Sequence, residues 1–182
     1  MIWGVVYVVL VGVLLVRVRT SDAGVPDPVF AQPDEPVWLV HLHHGIFLVL
    51  LVGAPLEAAI AGGRPHGRLL GATAFALGVA AYRLGGAVLG DALSPLIEPR
   101  PGVGLVTRGP YRWLRHPMYL GQALIAVGAP LTLGCRWMLA GSVVAVVILL
   151  GRMLLEEHAL ARTFPEYARY AAETKRIVPF VY

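Results

Sequence analysis

Long apolar runs separated by short polar segments dominate the chain. Five of these runs are close to the length that crosses about 30 Å of hydrocarbon as a helix. We place the predicted spans at about residues 2–18, 37–61, 69–90, 117–133 and 137–150. This pattern predicts an all-α integral membrane protein with about five transmembrane helices.

The last two spans are separated only by Gly134-Cys135-Arg136, which predicts a tight helical hairpin. The fourth span begins near Pro117, because proline is tolerated in a first helical turn. The fifth continues as a helix beyond the membrane. An amphipathic tail follows it, and we expect aromatic residues to anchor this tail at the head groups: Tyr167, Tyr170, Phe180 and Tyr182.

The first apolar run is followed by Arg17-Val18-Arg19 and not by a small-residue cleavage site. A cleaved signal peptide has the opposite order, with its basic residues before the apolar run. We therefore interpret the first run as a transmembrane helix.

The composition agrees with a membrane protein. Hydrophobic residues make up 57% of the chain and charged residues 14%, with a mean hydropathy of +0.70, whereas soluble domains carry about 25% charged residues. Cys135 is the only cysteine, which excludes an internal disulfide and a multi-thiolate metal site. The isoelectric point near 9.6 could indicate a nucleic-acid partner. Because the basic residues border apolar spans, however, they indicate topology and contact with anionic lipids.

The distribution of arginine and lysine predicts the orientation. With the N-terminus outside, the opposite side receives Arg17, Arg19, Arg100, Arg108, Arg112, Arg115, Arg152, Arg162, Arg169, Lys175 and Arg176, and the outer side only Arg64, Arg68 and Arg136. The positive-inside rule then places the C-terminus in the cytoplasm.

Ionisable residues within the spans collect in one leaflet. His41, His43 and His44 lie in the first turns of the second span, and Arg83 lies near the same side of the third. The basic stretch before the fourth span and Glu156-Glu157 lie at that level too. Such groups are costly in a membrane and normally face a bundle interior or a watered cavity. We therefore expect a polar pocket that opens to the cytoplasm.

Three segments carry a resemblance: GPYRWLRHPMYLG at 109–121, RMLLEEHAL at 152–160 and FPEYARYAAETKRIVP at 164–179. They are similar to the integral-membrane methyltransferases that include isoprenylcysteine carboxyl methyltransferase and the phospholipid N-methyltransferases. The resemblance covers about residues 100–182. The first ninety residues match only in being membrane spans.

The resemblance implies a methyltransferase that uses S-adenosylmethionine, with Arg152 and Glu156 at the reacting centre. By position it also implies a set of cofactor-binding residues: Tyr111, Arg115, His116, Pro117, Tyr119, Gly121 and Glu157. Within a single domain, residues 1–90 would then form the acceptor tunnel and residues 91–182 the catalytic half. The reaction needs no metal.

The residue types suit this chemistry. A carboxylate can bind the α-ammonium of S-adenosylmethionine, and an arginine or a free backbone N–H can bind its carboxylate. Glu156 and Glu157 are about 100° apart on a helix, so both cannot face the same way. The sequence leaves open which of them faces the site.

The acceptor is less determined by the sequence. We expect a lipophilic compound, methylated on a carboxylate, hydroxyl, amine or thiol, with Arg83, His41 and His44 as tentative substrate residues. His41 and His44 share a helix face, but two imidazoles without carboxylate or thiolate partners make a poor metal site. Arg83 needs a partner, which is either a glutamate or an acceptor carboxylate.

Two other functions remain open. A dinucleotide-dependent reductase of lipid or sterol double bonds has a similar tail, but the Arg-His-Pro segment favours a methyltransferase. A non-catalytic haem or quinone carrier could use His41 and His44, but it leaves the arginines and paired glutamates without a role. We expect the protein to contact membrane lipids and to have no nucleic-acid partner.

Overall fold

The computed structural model describes residues 2–15, 37–63 and 66–178. Six helices form its framework: α1 (Ile2–Leu15), α2 (Val37–Ala61), α3 (Arg68–Leu89), α4 (Pro117–Leu133), α5 (Trp137–Thr163) and α6 (Tyr167–Glu173). The described residues contain no β-strand beyond one isolated bridge between Leu114 and Lys175. The prediction of an all-α protein is therefore confirmed.

The membrane spans follow the predicted apolar runs closely. Three helical segments are long and apolar enough to cross a membrane: Val37–Ala61, Arg68–Ala92 and Trp137–Thr163. Helices α1 and α4 are apolar but shorter, with 14 and 17 residues. The chain is thus an integral membrane protein, while the number of spans and the cytoplasmic tail stay predictions. Several predicted features lie outside the described residues: the end of the first span, Arg17, Arg19, Arg64, Phe180 and Tyr182.

Helices α3 and α4 meet along a seam of glycines. Gly78 and Gly121 face each other, and a Cβ added to Gly121 would lie 2.6 Å from the backbone nitrogen of Tyr82. One heptad further along, a Cβ on Gly128 would lie 2.5 Å from the backbone nitrogen of Phe75. Small residues allow such close approach of helix backbones in membranes. The seam fixes α3 against α4, the two helices that bring Tyr82 and Tyr119 to the cavity described below.

Helix α5 is tied to α2 at the end remote from that cavity. The carboxylate of Glu57 accepts backbone N–H bonds from Arg136 (2.9 Å), Trp137 (3.0 Å) and Met138 (2.9 Å). A helix N-terminus leaves such N–H groups without intrahelical partners and favours a negative charge. Glu57 therefore acts as an N-terminal cap supplied by a neighbouring helix.

Candidate active site

A cavity of about 320 Å³ lies where the helices meet the irregular segment between α3 and α4. Apolar residues of segment 93–106 form much of its wall. Its polar lining comes from every helix from α2 to α6 and includes His44, Tyr82, Tyr119, Gln122, Arg152, Glu156, Tyr167 and Tyr170. Ligand sites in proteins typically combine an apolar wall with a few convergent polar groups in this way.

The segment 109–121, here called the signature segment, reaches the cavity through two local turns. Gly109 adopts a φ of +60°, a conformation that favours glycine, and starts a short 3₁₀ turn over Gly109–Arg112. Pro117 then begins α4 and is preceded by His116 in a non-helical conformation. Proline suits this position because the first N–H groups of a helix have no intrahelical partner. These turns place Tyr111, His116 and Tyr119 against the cavity.

Tyr119 and Glu156 form a short polar contact in the cavity. The Tyr119 hydroxyl donates a hydrogen bond of 2.5 Å to Oε2 of Glu156 and thereby joins α4 to α5. Glu156 lines the cavity, and Tyr119 is buried. The structure therefore places one of the paired glutamates in the cavity, with its carboxylate held by a phenol.

Arg152 is a buried cation in the same cavity. Its side chain is one turn before Glu156, and the residue is only 6% exposed. One guanidinium nitrogen donates to the carbonyl of Pro95, but Nε has no hydrogen-bond partner among the described residues. No described acidic residue forms a salt bridge with it. Because buried charges are normally paired, Arg152 has the properties of an anion-binding group.

Glu157 lies outside the cavity lining. Its Oε1 accepts a hydrogen bond of 2.9 Å from Nε of Arg115 and lies 3.3 Å from Nε2 of His116. Its Oε2 accepts a bond of 2.9 Å from Nε of Arg176. Arg115 and His116 do line the cavity. Glu157 thus contacts two of the predicted cofactor-binding residues on the side that faces away from the cavity.

Three tyrosines close the end of the cavity formed by α6. The Tyr170 hydroxyl donates a bond of 2.7 Å to the carbonyl of Tyr111, and burial raises the pKa of Tyr170 to about 12. Burial also raises the pKa of Tyr111, with a further contribution from the negative charge of Glu156. Burial likewise raises the pKa of Tyr167, whose hydroxyl has no described hydrogen-bond partner. These phenols therefore stay protonated at neutral pH.

Two of the predicted cofactor-binding residues support α4 and do not line the cavity. Pro117 is buried in the first turn of the helix, and Gly121 faces α3 across the glycine seam. Of the three residues between them, Met118 and Tyr119 line the cavity. A sequence signal for the packing of Gly121 against α3 was the seven-residue spacing of glycines on both helices. These glycines are at 71, 78 and 85 on α3 and at 121 and 128 on α4.

The tentative substrate residues are separated by the structure. His44 lines the cavity and donates from Nδ1 to the Val40 carbonyl at 2.7 Å. His41 is exposed, and Arg83 is half-buried outside the cavity lining. His43 is 1% exposed and lies 3.3 Å from the amide nitrogen of Gln122. The described residues contain no group of three or more metal ligands.

Sequence reasoning missed Gln122 and the segment 93–106. Gln122 is one turn after Tyr119 and is the only amide side chain in the apolar run of α4. Polar residues inside a membrane helix usually face the bundle interior, so this residue carried a usable signal. Segment 93–106 has apolar residues in an irregular loop, and several of them line the cavity: Leu93, Leu96, Ile97, Val103, Leu105 and Val106.

The model of the phospholipid methyltransferase family matches residues 67–167, which include the signature segment, Arg152 and Glu156. The chain belongs to the phospholipid methyltransferase family. This assignment confirms the predicted resemblance. It favours neither the reductase nor the haem or quinone carrier.

Two individual proteins show the extent of the similarity. The nickel-cobalt-cadmium resistance protein NccN of Alcaligenes xylosoxydans xylosoxydans is 33% identical over 88 residues, which cover 46% of this chain and 39% of that protein. The structure of the eukaryotic intramembrane Ras methyltransferase ICMT (isoprenylcysteine carboxyl methyltransferase) matches with a TM-score of 0.61 and 19% identity. That match covers 99% of the present chain and 74% of the ICMT chain, and it shows a shared fold.

Proposed function

We propose that this protein is a membrane-embedded methyltransferase that transfers the methyl group of S-adenosylmethionine to a lipophilic acceptor. The observation that carries the proposal is the meeting of Glu156 and Arg152 in one cavity beside the Arg-His-Pro segment. Arg152 is buried there without a described counter-ion. Family membership supports the same reaction class.

The cavity residues fit the charged groups of S-adenosylmethionine. Its α-ammonium suits the Glu156 carboxylate, and its carboxylate suits buried donors that lack a protein partner. Arg152 Nε and the Tyr167 hydroxyl are two such donors on the cavity wall. Bound S-adenosylmethionine supplies an electrophilic methyl group on a sulfonium. The apolar wall excludes water from this centre, which favours a reaction in which positive charge is lost.

We assign the signature residues to the cofactor side of the cavity. Tyr111, Arg115, His116 and Tyr119 line it directly, whereas Pro117 and Gly121 shape α4 beneath them. The orientation proposed from the basic residues, with the N-terminus outside, gives this side access to the cytoplasm.

We assign to the acceptor side one polar residue each from α2, α3 and α4. Its lining residues are His44, Tyr82 and Gln122. The His43 ring lies 3.3 Å from the amide nitrogen of Gln122. A carboxylate acceptor would use the positive charge of Arg152. An amine, hydroxyl or thiol must lose a proton, and a carboxylate of the cavity lining such as Glu156 can accept it.

The cofactor assignment is tested by calorimetric titration of the detergent-purified protein with S-adenosylhomocysteine, with NADPH as the control ligand. We expect saturable binding of S-adenosylhomocysteine alone, and strong weakening of that binding in Glu156→Gln. Labelled methyl donor and a lipid extract then identify the acceptor. Binding of NADPH alone would overturn the proposal in favour of the reductase.

A further inference from the structure

We propose that Glu157 is a positioning residue that clamps the C-terminal tail onto the Arg-His-Pro segment and so completes the donor side of the cavity. Its two carboxylate oxygens contact three basic side chains from both segments: Arg115, His116 and Arg176. The side chain of Glu157 is only 11% exposed. Glu157 acts through these partners and does not touch the methyl donor. The inference rests on the proposed methyltransferase function.

The backbone contact between the tail and the signature segment consists of only a few hydrogen bonds. Arg115 N–H donates to the Lys175 carbonyl at 2.7 Å, and His116 N–H donates to the Arg176 carbonyl at 3.0 Å. Lys175 N–H returns a bond of 3.1 Å to the Trp113 carbonyl. Even a full two-stranded ribbon is only marginally stable in water. The tail therefore depends on side-chain contacts to stay on the signature segment.

Arg115 extends the clamp to α6. Its Nη1 donates to the carbonyls of Ala171 (2.8 Å) and Thr174 (2.5 Å), at the C-terminal end of that helix. A cation is favoured at this position, because the last carbonyls of a helix have no intrahelical partners. Glu157 orients Arg115 for these bonds by holding its Nε. The same helix carries Tyr167 and Tyr170 to the cavity wall.

The tail also contacts the reacting centre through its packing. Ile177, next to Arg176, is buried in a cluster with Tyr119, Leu149 and Met153. Tyr119 in turn holds the Glu156 carboxylate. A tail released from Glu157 would remove Ile177 from this cluster and leave Tyr119 less constrained. The adjacent glutamates thus have separate roles. Glu156 is a functional group of the cavity, and Glu157 holds the residues that form the cavity wall in place.

Hydrogen exchange and kinetics on the full-length protein in nanodiscs test this division of roles. The variants are Glu157→Gln and the milder Arg176→Met, and Glu156→Gln is the matched control one residue away. Exchange is followed at the backbone amides of Arg115, His116 and Lys175, which make the contact between tail and signature segment. In parallel, S-adenosylhomocysteine is titrated and methyl transfer is measured at varied donor concentration.

We expect Glu157→Gln and Arg176→Met to speed exchange at these amides by about tenfold or more, since each loses a hydrogen bond between charged groups. The KM for the methyl donor should rise by about tenfold, while kcat falls by less than about threefold. Glu156→Gln should leave the exchange as in the wild type and lower kcat. Unchanged exchange in both clamp variants would overturn the inference, as would weaker donor binding without faster exchange. Failure of the wild type to bind S-adenosylhomocysteine would instead refute the proposed function, and the exchange data would still decide the clamp.

Discussion

Glu156 and Glu157 are neighbours on α5, yet of the two only Glu156 lines the cavity. Glu156 accepts a hydrogen bond from Tyr119 there, whereas Glu157, which lies outside the cavity lining, pairs with Arg115 and Arg176. The separation follows from the 100° rotation between consecutive helical residues. A pair of identical side chains can therefore serve one site in two different ways.

Tyr119→Phe should lower kcat by roughly tenfold to a hundredfold, because it removes one hydrogen bond to a charged group at the proposed reacting centre. Methyl-transfer kinetics with labelled donor measure this effect. Combining Tyr119→Phe with Glu156→Gln should cost less than the sum of the two single effects, since each weakens the same hydrogen bond to a charged group. Additive losses would show that the phenol and the carboxylate act independently.

Arg152→Met should reduce kcat/KM by about a hundredfold or more, because it removes a buried cation from the proposed site of methyl transfer, where charge changes during the reaction. The matched control is Arg162→Met, ten residues along the same helix. The Arg162 side chain is 72% exposed and pairs with Glu98, and a pair with one such exposed partner contributes about 0–1 kcal/mol. We expect that control to stay within about twofold of the wild type. Equal losses in both variants would contradict the role of Arg152.

Gly121→Ala should destabilise the protein by about 1–3 kcal/mol, because the added methyl group would contact the α3 backbone. Thermal unfolding in detergent should show a lower Tm. Gly151→Ala is the same substitution on α5 at a position with no atom within 4 Å of the new Cβ. That control should match or exceed the wild-type Tm, since alanine favours a helix over glycine by about 1 kcal/mol. A wild-type Tm for Gly121→Ala would refute the close approach of α3 and α4.

Gln122→Leu should raise the KM for the acceptor by about tenfold and change the affinity for S-adenosylhomocysteine by less than about twofold. The physical reason is that Gln122 lines the cavity on the proposed acceptor side, next to His43. Thr132→Val provides a control on the same helix, because the Thr132 hydroxyl bonds only within α4, to the Gly128 carbonyl. Equal weakening of donor and acceptor by Gln122→Leu would place this residue on the donor side.

Much of the framework could be predicted from the sequence. The apolar runs predicted residues 37–61, 69–90 and 117–133, and the helices α2, α3 and α4 follow them within about one residue. This success has a local cause, since the length and hydrophobicity of a run determine whether it can form a membrane helix. The signature segments indicated the family for a similar reason, because their residue types and spacing are readable without the fold.

The tertiary structure decided which residues share the cavity. The rotation of α5 places Glu156 inside it and Glu157 against the tail, and the glycine seam turns Gly121 toward α3. The cavity also depends on contacts across large sequence separations, such as Arg152 with Pro95 and Arg115 with Thr174. The sequence by itself determined the helices and the chemistry available to the site. The packing of distant segments determined where that chemistry is used, because helix rotation and loop placement depend on long-range contacts and not on local composition.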